Sequence, residues 1–509
     1  MVCWMGIDLG STSLKAVAYD LSGRQIASGS RPTLRFHPDP QHPEWTVWQP
    51  EQIWNDTAAA IREAVGQLHD ARQIRAVAVT GMGMDGLPVA ADGQWLYPLI
   101  SWLDPRTAPQ LAWWQEHVGL ERTFAIGGNP VWPINSALRM LWMFEHEPQV
   151  MERADKWLLI EDFVNFMLCG RQVTDPSMAS CTLLFDQSKR DWSDELLKAS
   201  GIPRRLLCDV LPSGTWIGEI HEQAARITGL PRGTAVVLGG HDHLCGAIPV
   251  GAFEPGVVLD VTGTWESVLT TLDTPLLDPE LRAKGMTLQS HVARGRYALW
   301  GGNPCADMLE WYRRELLGSS SGDWDSLMQR VAASPPGARR VMFLPHMSGA
   351  GCPVVDPLST GAFVGLTNRA DAVDLMRAVI EGLDFQFLDI VRAMETALGR
   401  ELDRLVAVGG GTRNRFWMQN KADVVGRTLE VPAITEATPL GAAIFAAIGT
   451  GDYRDERDAF ERVFRPGERY EPDPARTRHY ASMFKIYRDL HPSLAALNRK
   501  IAATESPGS

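Results

Sequence analysis

One short device occurs twice in this chain of 509 residues, at its start and near its middle. Residues 5–19, MGIDLGSTSLKAVAY, predict two strands joined by a tight turn of small residues, and residues 257–271, VVLDVTGTWESVLTT, predict the same arrangement. DLGST at 8–12 aligns with DVTGT at 260–264. Solenoid repeats recur every ~20–50 residues, so this spacing is too long for a repeat array. The pattern therefore predicts two related domains, each opening on a hairpin.

Further buried-type strands are predicted at residues 25–28, 74–79, 235–238 and 405–408. Apolar residues recur at helical spacing over residues 49–68, residues 108–169 are mostly helical by pattern, and a final helix is predicted from about 475. The expected fold class is α/β, with a mixed sheet flanked by helices in each half. We place the domains at residues 1–246 and 247–509, with the boundary near 247–251.

Composition narrows the class of protein. The net charge is −12, which argues against a nucleic-acid or anionic-membrane partner because such proteins usually present a basic face. The seven cysteines form no CxxC pair, which favours a reducing, cytoplasmic location. The N-terminus lacks the pattern of a signal peptide, and no apolar run approaches the ~20 residues of a membrane span. Dimerisation cannot be read from the sequence.

The small-residue turns are suited to phosphate. Bound phosphates need dense N–H donors and close backbone approach, and Gly10, Ser11, Thr12 and Ser13 offer both. Asp8, beside this turn, is a candidate Mg²⁺ ligand acting through water. A GxxxxGK[ST] loop is absent, so a P-loop enzyme is not expected. A third Gly-rich turn, GGGTRN at 409–414, follows the strand at 405–408 and leads into a helix.

Together these turns resemble the superfamily of sugar kinases, hsp70 and actin. Within it, the chain resembles the FGGY carbohydrate kinases, which include glycerol, xylulose and fuculose kinases. GAFVGLTNRADAVDLMRAVIEG at 361–382 is similar to that family's second signature. SALRMLWMF at 136–144 is similar to the first, with Arg139 where lysine is usual; this changes a point donor into a fork.

The resemblance implies two ribonuclease-H-like, actin-like ATPase domains with the active site in the cleft between them. The first domain would bind sugar and the second mainly Mg-ATP. It implies a nucleotide site that includes the first turn with Lys15, the second turn with Gly263 and Thr264, and GGGTRN as the adenosine motif, with Gly410, Gly411 and Asn414. Gly302, in WGGNPCADMLEW, is a further candidate for this site and an expected neighbour of the base.

Asp242 is the predicted catalytic base. It follows the strand at 235–238 in VVLGGHDHLCGA, and a carboxylate can accept a hydroxyl proton as a phosphoryl group arrives. The resemblance assigns the base to this aspartate, a share of the Mg²⁺ site to the same residue, and a substrate contact to His243. His241 and His243 form an H-x-H pair, but no third zinc ligand is apparent, so substrate contact or packing is preferred.

The sugar site is expected on loops of the first domain. TGMGMDG at 80–86 has the spacing GxGxxG, but strands rather than a helix are predicted after it, so a dinucleotide fold is rejected. The resemblance gives substrate contacts to Met84 and Asp85, with a plain turn as the alternative. SWLDPRT supplies Trp102, Asp104 and Arg106, and a structural Asp104–Arg106 salt bridge is the alternative there. Asp175, in VTDPSMAS, is a further candidate contact.

The sequence thus predicts ATP-dependent phosphorylation of a hydroxyl of a small sugar or polyol. Similarity of the HD and GTWE segments to fuculose kinases favours a ketose, such as xylulose or a related ketopentose or deoxyketose. The alternatives are an actin- or hsp70-like ATPase, a glycerol-type polyol kinase, and a nucleotide-binding regulator without turnover.

Overall fold

A computed structural model describes residues 2–318 and 324–504. The first half is built on a six-stranded mixed sheet. In spatial order its strands are Trp216–Glu219, Ala235–His241, Ile74–Gly81, Cys3–Leu9, Ser13–Tyr19 and Gln25–Pro32.

The second half is built on a seven-stranded mixed sheet. In spatial order its strands are Glu468–Tyr470, Leu429–Val431, Arg404–Val408, Val257–Thr262, Trp265–Leu272, Tyr297–Pro304 and Thr287–Ser290. Each sheet runs through antiparallel, parallel, parallel, antiparallel and antiparallel pairings in the same order, and the second sheet adds one antiparallel strand. The duplication predicted from the two hairpins is therefore confirmed.

Helices flank both sheets. They span Pro50–Gly66, Ala108–His117, Leu120–Gly127, Ser136–His146, Pro148–Arg153, Ile160–Cys169, Pro176–Ser180, Asp194–Ser200, Glu222–Thr228, Asp242–Ala247, Pro279–Ala283, Ala306–Tyr312, Trp324–Ala333, Ala372–Leu398, Arg415–Val425, Ala437–Gly449, Glu456–Val463 and Pro474–Ala502. Short strands pair outside the main sheets at Val47–Trp48, Gly86–Val89, Leu99–Ile100, Lys156–Leu159, Val173–Thr174, Phe185–Asp186, Asp191–Trp192, Asp209–Val210, Met342–Leu344 and Ala362–Val364. Within the described ranges, no helix is long and apolar enough to cross a membrane.

The strand Cys3–Leu9 shows why its sequence is almost continuously apolar. Successive side chains of a strand point to opposite faces of the sheet. Met5 and Ile7 belong to the core of the first half, whereas Trp4 packs into a second core that lies between the two halves. Both faces of this strand are covered, so the alternation of apolar and polar residues typical of a half-exposed strand is absent.

The helix Ala437–Gly449 joins the two halves. It follows the adenosine motif in sequence but packs on the first sheet, where the carbonyl of Pro439 lies against Gly6. Gly441 lies against the carbonyl of Cys245 in the helix Asp242–Ala247, an approach that leaves no room for a side chain. The segment that carries the predicted base is thereby packed directly against the element that links the halves.

Candidate active site

Three neighbouring strands of the first sheet end at the same edge. Leu9, Gly81 and His241 are register partners across these strands, which are parallel to one another. The first phosphate turn, the loop 82–86 and the predicted base Asp242 follow these three residues directly. Gly83 confirms the close approach, because a β-carbon there would lie 2.8 Å from the His241 ring. The fold thus brings phosphate turn, predicted sugar loop and predicted base together.

Asp242 is the first residue of a short helix, and its side chain remains 21% exposed. Its Oδ1 accepts a hydrogen bond from the His243 backbone amide at 2.6 Å. The backbone before it is held from other elements: the His241 amide donates to Ser177 Oγ at 2.8 Å, and the Gly239 amide donates to Glu161 Oε1 at 3.1 Å. A carboxylate that reaches solvent is thereby mounted on a fixed backbone, as a general base requires.

Asp8 lies near Asp242. Burial and the neighbouring carboxylate of Asp242 raise the pKa of Asp8, Lys15 opposes the shift, and the net pKa is about 8. The Lys15 ammonium itself donates to Glu436 Oε2 at 2.8 Å. Two close carboxylates, one of which resists ionisation, form a place where a cation would be stabilised.

The two histidines flank the predicted base. Their rings lie 5.2 Å apart, and their Nε2 atoms are 3.6 and 3.7 Å from Oδ1 of Asp242. Burial lowers the pKa of His241 to about 4, whereas the His243 side chain is 45% exposed. His243 is therefore the one of the pair that can meet a molecule in the cleft.

The loop 82–86 is held in an unusual conformation. Met84 has φ +82°, a region that non-glycine residues seldom occupy. Its carbonyl oxygen accepts hydrogen bonds from Ser136 Oγ at 2.6 Å and Arg139 Nη1 at 2.7 Å. The side chain of Met84 is partly exposed, as the predicted substrate contact requires.

Asp85 does not fit a direct substrate contact. The residue is fully buried, and its carboxylate accepts hydrogen bonds from Arg139 Nη1 at 2.8 Å and Trp48 Nε1 at 2.6 Å. Burial raises the pKa of Asp85, while the Arg139 charge opposes that shift. Asp85 and Arg139 instead form a buried pair behind Met84, because both oxygens of the carboxylate are already used inside the protein.

The segment 101–107 also contains both an exposed candidate residue and buried ones. Trp102 is 36% exposed and can cover a sugar face, as predicted. Asp104 and Arg106 have fully buried side chains that pair at 2.7 Å, and Arg106 stacks over Trp45 with 4.2 Å to the ring centroid. These two residues do not fit the predicted contact, and the salt-bridge alternative describes them.

Asp175 is also enclosed by the protein and does not fit a direct substrate contact. It is fully buried and caps the helix Pro176–Ser180, where Oδ1 accepts from the Ser177 amide at 2.8 Å. Burial raises its pKa. Asp175 supports the site from behind, through Ser177, which in turn holds the backbone before Asp242.

The second hairpin and the adenosine motif meet in the other sheet. Val261 and Val408 are register partners on parallel strands, so the turn at 263–264 and the loop 409–414 leave the sheet side by side. Gly411 packs against the Thr262 side chain, and a β-carbon on Gly409 would lie 2.6 Å from the Thr262 carbonyl oxygen. The glycines are needed for this contact.

A cavity of about 740 Å³ opens beside this contact. Its walls include Gly410, Gly411 and Asn414, the predicted adenosine residues, with Ala306 and Met328 opposite them. This volume is within the range of pockets for small molecules and cofactors, ~300–1,000 Å³. Asn414 caps the helix Arg415–Val425 by accepting from the Trp417 amide at 3.1 Å, which fixes this wall.

The exposed Thr264 lies in a turn that borders this cavity. The carbonyls of Thr264 and Gly263 accept hydrogen bonds from the amides of Cys305 and Ala306, at 2.9 and 3.0 Å. Gly302 lies against the Trp265 ring and the backbone of the same hairpin. Gly302 thus neighbours the second hairpin, and its predicted part in the nucleotide site is through that turn.

Comparisons with known proteins agree with this architecture. The model of the FGGY family of carbohydrate kinases, N-terminal domain, matches residues 3–249, and the model of its C-terminal domain matches residues 259–450. The chain belongs to the FGGY family of carbohydrate kinases. It is a phosphotransferase of the two-domain actin-like fold, with ATP as the co-substrate that a kinase of this family uses. This result argues against the ATPase and regulator alternatives.

Individual proteins of the family are similar to this chain over most of its length. The chain is 31% identical to the L-fuculokinase of Escherichia coli K12 over 465 residues, which cover 90% of this chain and 94% of that protein. It is 29% identical to the xylulose kinase of Klebsiella pneumoniae, with 97% and 99% covered. The solved xylulose kinase of Rhodospirillum rubrum superposes with a TM-score of 0.90 at 28% identity, covering 98% of this chain and all of that chain.

Several residues that position the site were not predicted individually. Ser136, Trp48 and Ser177 hold the loop 82–86 and the backbone before the base through hydrogen bonds from distant elements. Ser136 and Ser177 lie within the segments SALRMLWMF and VTDPSMAS, but in these segments the motifs single out only Arg139 and Asp175. A single serine or tryptophan in a sequence does not reveal which backbone group it will meet.

Proposed function

We propose that this carbohydrate kinase phosphorylates a hydroxyl of a small ketose, such as xylulose or a related ketopentose or deoxyketose. One observation carries the proposal: the solvent-reaching carboxylate of Asp242 lies at the same sheet edge as the Met84 loop and the first phosphate turn. Relatives named L-fuculokinase and xylulose kinase span nearly the whole chain, which supports a ketose over glycerol-type polyols.

The sugar is bound by the first half. Met84, Trp102 and His243 have exposed or partly exposed side chains and are its proposed contacts. Arg139 fixes the carbonyl of Met84, so substrate shape is sensed by a loop that cannot relax freely. Asp242 then accepts the proton of the attacking hydroxyl, which in general contributes about 10²–10⁴-fold in rate.

ATP is proposed to lie across the two hairpins. The adenosine part occupies the cavity beside Gly410 and Gly411, and the phosphates lie between the second turn and the first, toward Asp242. Backbone amides of both turns stabilise the phosphoryl oxygens as charge redistributes. Closure of the cleft excludes water, which would otherwise compete with the sugar as acceptor.

The carboxylates of Asp8 and Asp242 fit a Mg²⁺ ion. Magnesium prefers oxygen ligands and keeps several waters, and the raised pKa of Asp8 marks a place where a cation relieves repulsion. Among the described residues, no group of three or more His, Cys, Asp or Glu could hold a metal ion, so waters and phosphate oxygens would complete the shell. When bound, the ion would neutralise phosphate charge.

A panel of ketoses and polyols in a coupled ADP-release assay tests this proposal. We expect turnover only when a sugar is added, with the highest kcat/KM for a ketopentose or deoxyketose. ADP release without acceptor, or a preference for glycerol over every ketose, would contradict it. Cytoplasmic location remains a prediction, and a homodimer is one of the oligomeric states that the sequence leaves open.

A further inference from the structure

A buried charge cluster lies directly behind the second hairpin. The Lys421 ammonium donates to Asp260 Oδ2 and to Glu266 Oε1, both at 2.6 Å, and to Thr262 Oγ1 at 3.3 Å. The side chains of Lys421, Asp260 and Glu266 are at most 2% exposed. We call Lys421, Asp260, Thr262 and Glu266 the Lys421 cluster. Nothing in the motifs of the nucleotide site includes its lysine.

The cluster joins three elements at one point. Asp260 and Thr262 belong to the strand that enters the turn, and Glu266 belongs to the strand that leaves it, where it is the register partner of Thr262. Lys421 comes from the helix Arg415–Val425, which follows the adenosine loop. A single ammonium therefore ties both strands of the hairpin, at the base of the turn, to the helix that carries the adenosine loop.

The surroundings keep the lysine charged and in place. Burial lowers the pKa of Lys421, but the acidic groups around it, of which Asp260 and Glu266 act most strongly, together outweigh burial, so the net shift of the pKa is upward. The ammonium also lies 4.6 Å from the centroid of the Phe387 ring, a favourable position for a buried cation. A lysine in such surroundings has one preferred position, and the groups bonded to it share that rigidity.

Thr262 links the Lys421 cluster to the proposed nucleotide site. Its hydroxyl donates to Asp260 Oδ2 at 2.8 Å inside the cluster, while its side chain and carbonyl meet Gly411 and Gly409 of the adenosine loop. A shift of Thr262 would therefore change the spacing between the phosphate turn and the adenosine cavity.

We propose that Lys421 is a positioning residue for the nucleotide, which holds the turn after Thr262 in register with the adenosine loop so that both face one ATP molecule. The proposal rests on the assignment of these two segments to ATP. Lys421 touches neither substrate and acts through Asp260, Glu266 and Thr262. Its loss should weaken nucleotide binding while leaving the sugar site, on the other sheet, unaffected.

The test is Lys421→Met, with ADP affinity measured by calorimetry and KM measured for ATP and for the sugar. We expect ADP Kd and KM for ATP to rise about tenfold, which corresponds to ~1.4 kcal/mol, with KM for sugar within about twofold. Lys421→Arg, which keeps the charge, should recover much of the affinity. Arg427→Met is the matched control: it removes a largely buried cation, paired with Glu395, two residues beyond the same helix. It should lower Tm with unchanged ADP affinity.

Lys421→Met leaves two buried carboxylates unpaired and can fail to fold, so Glu266→Gln provides a second route. Glu266→Gln keeps the size of the side chain and leaves Lys421 in place, but it removes one of the two charges that bind the ammonium. We therefore expect ADP Kd to rise, by less than in Lys421→Met. Unchanged ADP affinity in a folded Lys421→Met or in Glu266→Gln, or an equal rise for Arg427→Met, would overturn the proposal. Wild-type protein that binds ADP but phosphorylates no sugar would contradict the proposed ketose activity alone; failure to bind ADP would overturn both.

Discussion

The two hairpins have aligned sequences and matching topology, yet their aspartates have different surroundings. Asp260 is buried and paired with the Lys421 ammonium at 2.6 Å. Asp8 is partly exposed in the cleft, and burial together with Asp242 raises its pKa to about 8. The duplicated fold thus uses one aspartate as an internal counter-ion and leaves the other, the proposed Mg²⁺ ligand, partly exposed.

The strand register shows how this difference arises. Asp8 lies opposite Lys15 on the neighbouring strand, whereas Asp260 lies opposite Val268. Lys15 pairs with Glu436, just before the joining helix, and only partly offsets the raised pKa of Asp8. The cation for Asp260 comes from a helix behind the sheet. Charge placement outside the hairpins, rather than the hairpin sequence, determines what each aspartate can do.

The largest expected difference between the hairpins is in turnover. Asp8→Asn should lower kcat about 10²–10³-fold, the usual loss when one electrostatic stabiliser of a transition state is removed. Tm without magnesium should stay equal or rise, because the variant removes a carboxyl whose pKa shows that its charge is disfavoured. Sugar-dependent ADP release and thermal melts measure both. Asp20→Asn, in the turn after the same hairpin, is the control and should keep kcat.

Asp260→Asn should have the opposite signature. It leaves the buried Lys421 short of a counter-ion, and breaking a buried pair costs about 3 kcal/mol of stability. Thermal melts of the two variants side by side check this. A greater loss of Tm for Asp8→Asn than for Asp260→Asn would reverse the roles assigned to the two hairpins.

The next largest expected effect is a loss of stability at acidic pH, caused by the buried His291. Burial lowers the pKa of His291 to about 3, and its Nδ1 accepts from the Ala293 amide at 2.9 Å. The unfolded chain binds a proton below pH 6.5 and the folded chain does not, so stability falls with decreasing pH, by about 2 kcal/mol at pH 5. His291→Gln should reduce the Tm difference between pH 7 and pH 5; an unchanged difference would contradict this.

The smallest effect separates the sugar side from the nucleotide side. Arg139→Lys shortens the side chain by one bond, so its ammonium cannot reach the position from which Nη1 of Arg139 donates to both the Met84 carbonyl and Asp85 Oδ1. We expect KM for the sugar to rise about tenfold with KM for ATP unchanged. Steady-state kinetics with each substrate varied in turn measure it, and Arg427→Lys is the control. A rise in KM for ATP with unchanged KM for the sugar would refute the assignment of sugar binding to the first half and ATP binding to the second.

The fold was predictable because its signals are local and repeated. The two hairpins, the strand at Ala235–His241 and the final helix at Pro474–Ala502 lie within a few residues of their predicted positions. The packing of Ala437–Gly449 on the first sheet was not predictable, because nothing in an apolar helix rich in alanine states which sheet it will cover.

For the site, the sequence predicted which segments lie there but not which side chains in each segment are exposed. Met84 and Asp85 are adjacent in sequence, but the turn at Met84 sends Asp85 inward to Arg139, and a motif cannot show that. Asp104, Arg106 and Asp175 likewise lie in the expected segments with their charges satisfied inside the protein. The buried partners that decide orientation come from helices distant in sequence.

Single-turnover phosphoryl transfer by Asp242→Asn tests the central claim, that the first sheet supplies the chemistry and the second holds the nucleotide. With labelled ATP and saturating ketose, we expect the rate to fall by about 10²–10⁴-fold while ADP binds with unchanged affinity. Near-normal transfer in this variant, or loss of ADP binding in parallel with transfer, would contradict the account.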